Sequence, residues 1–345
     1  MNKRIYTSIL ALALVTGTVA LAIGFNRSLA IAAPSNAAAS INAAQTNDLL
    51  ALLPTTDAVA YVDVRRILTE AIPNLLASNP VKLAQFNAEI EKLKAKTGFD
   101  VRSFDRIALG INYSNGSDSV AIARGSFNAD ALIAAGRLVS NGKFTEQKYN
   151  GKTIYNFPIT EKSKTAGKPN KVTQLFVTAL NANTLAIGMT AATGVRAALD
   201  ANAGGTRRGA SDVATLASRN PNALIGFGGN VPASLAGKAD FGNPELTKNI
   251  AAIRQVYGFL NSTASNVETL VALLTQTPEQ AKSLSDTIGA LKQFSGLVVS
   301  QAPAAQRATV QSFFDGLQIT PQGNEVQIKA SVSAANLSTI VGNIK

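Results

Sequence analysis

The sequence predicts an α+β fold: two similar α+β units with antiparallel sheets and helices packed on one face of each, after an N-terminal export helix. Three observations carry this expectation. Short β-type apolar runs come in pairs joined by turn residues, the pattern of antiparallel hairpins. Stretches of helical periodicity with N-cap residues stand between those pairs. The order of elements in the first half returns after about residue 222.

The chain opens with Met1-Asn2-Lys3-Arg4, followed by the apolar run ILALALVTGTVALAIGF at residues 9–25. A basic start, an apolar stretch and the small-x-small pair Ala30 and Ala32 form an export leader, with cleavage expected before Ala33; Ala37 and Ala39 offer a second site. Residues 5–25 are also long enough to span a bilayer as an uncleaved anchor, and a lipid-facing core helix is the third reading. The first two readings put the body outside the cytoplasm: periplasmic, envelope-bound or secreted. Residues 34–46, rich in Ala, Asn and Ser, read as a flexible tether.

The first unit is expected over 47–203. TDAVAYVDV, 56–64, is a strand, and a helical pattern follows from Ile67 to Lys96, broken by Pro73 and Pro80. The run 106–127 is a hairpin turned by Ser114-Asn115-Gly116-Ser117-Asp118. Asn128 caps a helix to Val139. A second hairpin, 143–157, turns at Asn150-Gly151, and strand alternation places Phe144, Tyr155 and Phe157 with Lys148 on one face and Tyr149, Lys152 and Ile154 on the other. An extra hairpin follows at 173–189. Residues 204–220 read as a linker with a short helix capped by Ser211.

The second unit, 221–345, repeats the order: a strand at 221–231, a helix at 243–256, a hairpin at 255–276, a helix at 277–293, a hairpin at 317–333 and a closing helix AANLSTIVGN. Gly110 matches Gly258 and Asp130 matches Glu279, at offsets of 148 and 149. The segments LLPTTDAVAYVDVRRIL, KAKTGFDVRSFDRIALGINY and TPEQAKSLSDTI, with the terminal strand pair, resemble a set of uncharacterised exported bacterial proteins. That resemblance implies export and an α+β body, and implies no activity and no site residues.

Composition excludes several chemistries. With no Cys and no His, the chain builds no disulfide, no Ser-His-Asp triad, no thiol nucleophile and no imidazole or thiolate metal site. The acids are scattered, and Asp118 reads as turn chemistry in preference to a weak cation site. Ser140-Asn141-Gly142-Lys143 fits S-x-x-K, but Asn-Gly makes it a turn after a helix, whereas Ser-Lys enzymes place the motif at a helix start. Gly226-Phe227-Gly228-Gly229 fails the dinucleotide fingerprint, because Val231 and Pro232 stand where the last glycine and the helix would be. No catalytic residue, metal ligand or cofactor is assigned.

What remains is charge. The chain carries +11, which falls to +8 without Lys3, Arg4 and Arg27. Residues 137–171 alone hold eight bases against Glu146 and Glu161, a net +6. The candidate anion-binding residues are Lys162, Lys164, Lys168 and Lys171 in the loop EKSKTAGKPNK, and Arg207 and Arg208 beside Gly204-Gly205. Their expected partners are anionic envelope polymers or lipid headgroups, with membrane contact through residues 5–25 if the leader stays; nucleic acid is not expected. The functional expectation is an exported, non-catalytic structural or binding module. The alternatives are an extracytoplasmic hydrolase using carboxylates or a Ser-Lys pair, and a carrier of an apolar ligand.

Overall fold

The computed structural model describes residues 44–113, 118–161, 171–204, 212–232, 244–263, 266–293, 295–301 and 307–333. The expected export helix at 5–25 and the closing helix at 334–343 lie outside these residues, as does the turn 114–117. The strands are β1 (Ala58–Asp63), β2 (Phe104–Asn112), β3 (Asp118–Gly125), β4 (Thr145–Tyr149), β5 (Lys152–Glu161), β6 (Lys171–Asn181), β7 (Thr184–Met189), β8 (Ile225–Asn230), β9 (Gln255–Ser262), β10 (Asn266–Leu274), β11 (Gln318–Gln322) and β12 (Glu325–Ser333). The helices are α1 (44–50), α2 (64–75, with a π-turn at Ile67–Ala71), α3 (Pro80–Thr97), α4 (Ala129–Val139), α5 (Thr193–Asn202), α6 (Asp212–Ala217), α7 (Pro244–Ala251), α8 (Pro278–Gln293), α9 (Ser295–Gln301) and α10 (Arg307–Gly316).

All twelve strands join in one antiparallel sheet, ordered β11-β12-β10-β9-β8-β1-β2-β3-β7-β6-β5-β4. The chain is therefore α+β. The strands that the sequence distributes over two units meet through the β1–β8 pair, where Tyr61 stands opposite Gly226. The hairpin next to β3 is β6–β7, and the Asn150-Gly151 hairpin β4–β5 lies outermost.

Helices cover both faces, which differs from the one-sided packing expected. Each strand presents alternate residues to opposite sides, and both sides are apolar. One face carries Val59, Tyr61, Ala108, Val120, Ile122 and Ile154, packed with Leu49 of α1, Val195 and Leu199 of α5, and Val213 and Ala217 of α6. The other face holds Val177 and Leu185 under Ile133 of α4, and Val326 under Ala281 and Leu284 of α8. A stretch read as a linker, α6, is thus core: Val213, Leu216 and Ala217 are all buried. The expected tether also ends early, since 44–46 are already helical and Thr46 is only 1% exposed.

Local signals act where the sequence places them. Asn128 Oδ1 accepts Ala131 N at 2.9 Å to start α4. Asn79 caps α3, with Pro80 at its first position. Asn150 and Gly151 take φ 46° and 74°, the two positive values that a two-residue hairpin turn requires. At α8, Thr277 Oγ1 accepts Gln280 N at 3.3 Å, and Gln280 Oε1 reaches back to Gln276 N at 3.0 Å. The helix expected at 243–256 stops at Ala251, because Arg254 N donates to Leu274 O and Gln255 enters the sheet. Helices α9 and α10 were not expected.

The sheet centre also holds charge. Arg106 Nη2 lies 3.2 Å from Asp63 Oδ2, with both residues buried on the Tyr61 face. Asp63 Oδ1 meanwhile accepts Arg66 N to cap α2. Tyr61 is 1% exposed and donates its hydroxyl to Asn220 O; burial holds its pKa well above the usual phenol value.

Candidate functional site

Two features converge on one edge of the sheet. The first is a polar cleft of about 650 Å³. Its walls are the 54–57 loop before β1, the end of β2, the start of β3, the β7–α5 connection and the end of β8. The register explains the polar lining. Gly229 pairs Ala58, Ala58 pairs Ile111, Asn112 pairs Asp118, and Ser119 pairs Met189. One step beyond the apolar rungs, Asn230, Asp57, Asn112, Asp118 and Thr190 therefore follow one another on five adjacent strands. All five line the cleft. Backbone bonds extend the ladder to this rung: Asn230 N to Asp57 O at 2.8 Å, and Asp57 N to Ile111 O at 3.0 Å.

Each member is held. Asp57 Oδ2 accepts Tyr113 N at 2.8 Å, and Gln255 Nε2 donates to Asn230 Oδ1 at 3.0 Å. Asp118 accepts Ser119 N at 2.9 Å and the N–H of Gly194 in the first turn of α5. Burial nevertheless pushes the Asp118 carboxyl above its usual pKa. Thr190 has φ 80°, a left-handed conformation that costs a β-branched residue about 1–3 kcal/mol. The Thr56 hydroxyl is buried without a hydrogen-bond partner among the described residues. Thr56 leans over Gly110, where a Cβ would come within 2.8 Å of Thr56 Cγ2, so glycine is what lets the loop close down on β2.

The second feature is on the opposite face of the same edge. Helix α4 runs along β5–β7 and ends with Leu138 and Val139, 79% and 70% exposed. Beneath it lies an apolar groove of about 450 Å³ lined by Leu132, Ile133, Val139, Phe157, Ile159 and Leu175 among others. Ile159 and Met189 remain 43% and 49% exposed. Behind them Phe144, Tyr155 and Phe157 form the expected aromatic face, capped by Arg137 at 5.0 Å from the Phe144 ring. Tyr149 and Ile154 face the other core, as alternation requires.

Of the sequence-derived anion-binding residues, Lys171 opens β6 opposite Glu161. That pair fixes the point where the basic β5–β6 connection leaves, two residues beyond Ile159. Lys162, Lys164, Lys168, Arg207 and Arg208 lie outside the described residues. Ser140 Oγ donates to Arg137 O at 2.8 Å in a turn with Asn141 and Gly142 at positive φ, so the Ser-Lys motif is a helix stop. Gly226 and Gly228 seat Tyr61 and α6 against β8, where a Cβ would meet Tyr61 Cε1 at 2.3 Å and Val213 O at 2.5 Å; they form no phosphate loop. Gly204, at φ 79°, ends α5. Among the described residues no three acidic side chains group as a metal site, and no helix is long and apolar enough to cross a membrane.

The class that this architecture defines is an α+β protein built on one broad antiparallel sheet. No family model matches the chain, and no curated protein matches it in sequence. Among solved structures it is similar to crystal forms III and IV of TP0453. Form III is 11% identical, with a TM-score of 0.44, covering 86% of this chain and 98% of that one. Form IV is 12% identical, with a TM-score of 0.42, covering 86% and 96%. Likeness at this level carries over neither fold nor function.

Proposed function

We propose that the chain is an exported, non-catalytic binding module that docks on an anionic lipid surface by the sheet edge at which α4 ends. One juxtaposition carries this reading. Leu138, Val139, Ile159 and Met189 expose apolar surface at the edge from which a connection with Lys162, Lys164 and Lys168, followed by Lys171, departs. Exposed apolar side chains next to the start of a base-rich connection suit a lipid interface, where the first enter the headgroup boundary and bases meet its charge. An uncleaved segment 5–25 would hold the body at the same surface; cleavage would start the mature chain at Ala33 or Ser40, which N-terminal sequencing of native material decides.

The strand order also supports a tandem origin. Outward from the β1–β8 pair, β1-β2-β3-β7-β6 and β8-β9-β10-β12-β11 have the same connectivity. A second reading, a carrier of an apolar ligand, draws on the groove under α4. In that case lipid extracted from purified protein should be stoichiometric, and Gly136→Phe should abolish it.

Vesicle flotation tests the docking reading. Each base near an anionic surface contributes about 1 kcal/mol, so changing Lys162, Lys164, Lys168 and Lys171 to Gln should weaken binding up to about a thousandfold. Leu138→Ser with Val139→Ser should weaken it independently of salt. Equal binding to neutral and anionic vesicles, or none at low ionic strength, contradicts the proposal.

A further inference from the structure

The polar cleft points to a different ligand. We propose that the row Asn230, Asp57, Asn112, Asp118 and Thr190 binds a neutral, hydroxyl-rich saccharide laid across the edge of strands β8, β1, β2, β3 and β7. The lining decides the class. Two carboxylates accept hydrogen bonds only, while the amides and the hydroxyls of Thr55, Thr56, Ser119 and Thr193 both donate and accept. Among the described residues the lining includes no Lys, no Arg and no aromatic ring, in a chain with 32 bases to 21 acids. An anion would meet two carboxylates and no counter-charge, and an apolar ligand would bury them.

Geometry separates a saccharide from a metal ion. Asp57 and Asp118 stand on strands two apart, with Asn112 between them, so their backbones are about 10 Å from one another. A calcium ion takes about six to eight oxygens, and among the described residues no third acidic side chain joins this pair. Successive polar groups at the inter-strand spacing of about 4.8 Å instead match hydroxyls on successive parts of a sugar chain. The raised carboxyl of Asp118, half-buried against α5, gains from hydroxyl donors.

The test uses the full exported chain and a panel of neutral tri- and tetrasaccharides of gluco, manno and galacto configuration, followed by calorimetry and saturation-transfer NMR. At least one should bind saturably. Asn112→Ala and Asp118→Asn should each weaken that binding tenfold or more, while Leu138→Ser leaves it unchanged. The last comparison separates this cleft from the lipid-docking edge. No saturable binding by any sugar in the panel overturns the proposal, as does sugar binding undiminished in both cleft variants. Saturable calcium binding that Asp118→Asn abolishes would assign the cleft to a cation and overturn it too.

Discussion

Removing Arg106 should destabilise the fold more than any surface change, and the size follows from its surroundings. Arg106 is 8% exposed and Asp63 5%. The guanidinium donates to Asp63 Oδ2 from Nε at 3.3 Å and Nη2 at 3.2 Å, and from Nη1 to Thr46 Oγ1 at 3.4 Å. Arg106→Met keeps the length and apolar stem but leaves the Asp63 carboxylate buried without its counter-charge. Breaking a buried pair from one side costs about 3–5 kcal/mol. The double variant Asp63→Asn/Arg106→Met has no buried charge and retains an acceptor for Arg66 N. It should therefore lose about 2 kcal/mol less than Arg106→Met alone. Urea unfolding followed by far-UV circular dichroism measures both, and the single variant should also melt roughly 10 °C lower. A single variant within about 1 kcal/mol of the parent, or a double variant weaker than the single, would refute the reasoning.

Asn128→Ala removes the acceptor for Ala131 N and should cost about 0.5–2 kcal/mol in the same assay, with Asn128→Asp nearly neutral. For Asp118 the sign follows from its raised pKa: the carboxyl favours the fold when protonated, and that contribution is lost as pH rises through its folded-state pKa. Asp118→Asn should match the parent near about pH 3 and become the more stable of the two by about pH 6, which thermal melts across that range would show. A parent that gains on the variant with rising pH would contradict it.

Local chemistry was legible in the sequence wherever a few adjacent residues decide the backbone. Asn150-Gly151 dictates its turn, Asn128 its helix start, and alternation sorts Tyr155 and Phe157 from Tyr149 and Ile154. The joining of all strands into one sheet was not legible, because it depends on β1 pairing with β8 across more than 160 residues. Nor was the burial of α6, whose six residues are too short for a period and whose apolar side is defined only by β8 and β1 beneath it. The polar cleft was hidden for the same reason. Asp118 reads as turn chemistry, Asp57, Asn112, Thr190 and Asn230 carry no signal of their own, and only the register sets the five side by side. The apolar edge was not legible, because the exposed Leu138, Val139, Ile159 and Met189 come from three separate elements; the excess of bases over 137–171 is local in sequence.

The chain contains no Trp, so a single Trp reports from one place without background. Leu138 is 79% exposed, and Leu138→Trp should leave the fold intact. Added to vesicles containing anionic lipid at low salt, this variant should shift its emission to the blue and become quenched by labels within the headgroup boundary. Salt near 0.5 M should reverse much of the shift, because exposed charges are then screened within roughly 3–10 Å. Emission that stays at the water-exposed wavelength on anionic vesicles at low salt, with the fold unchanged, would contradict docking through this edge.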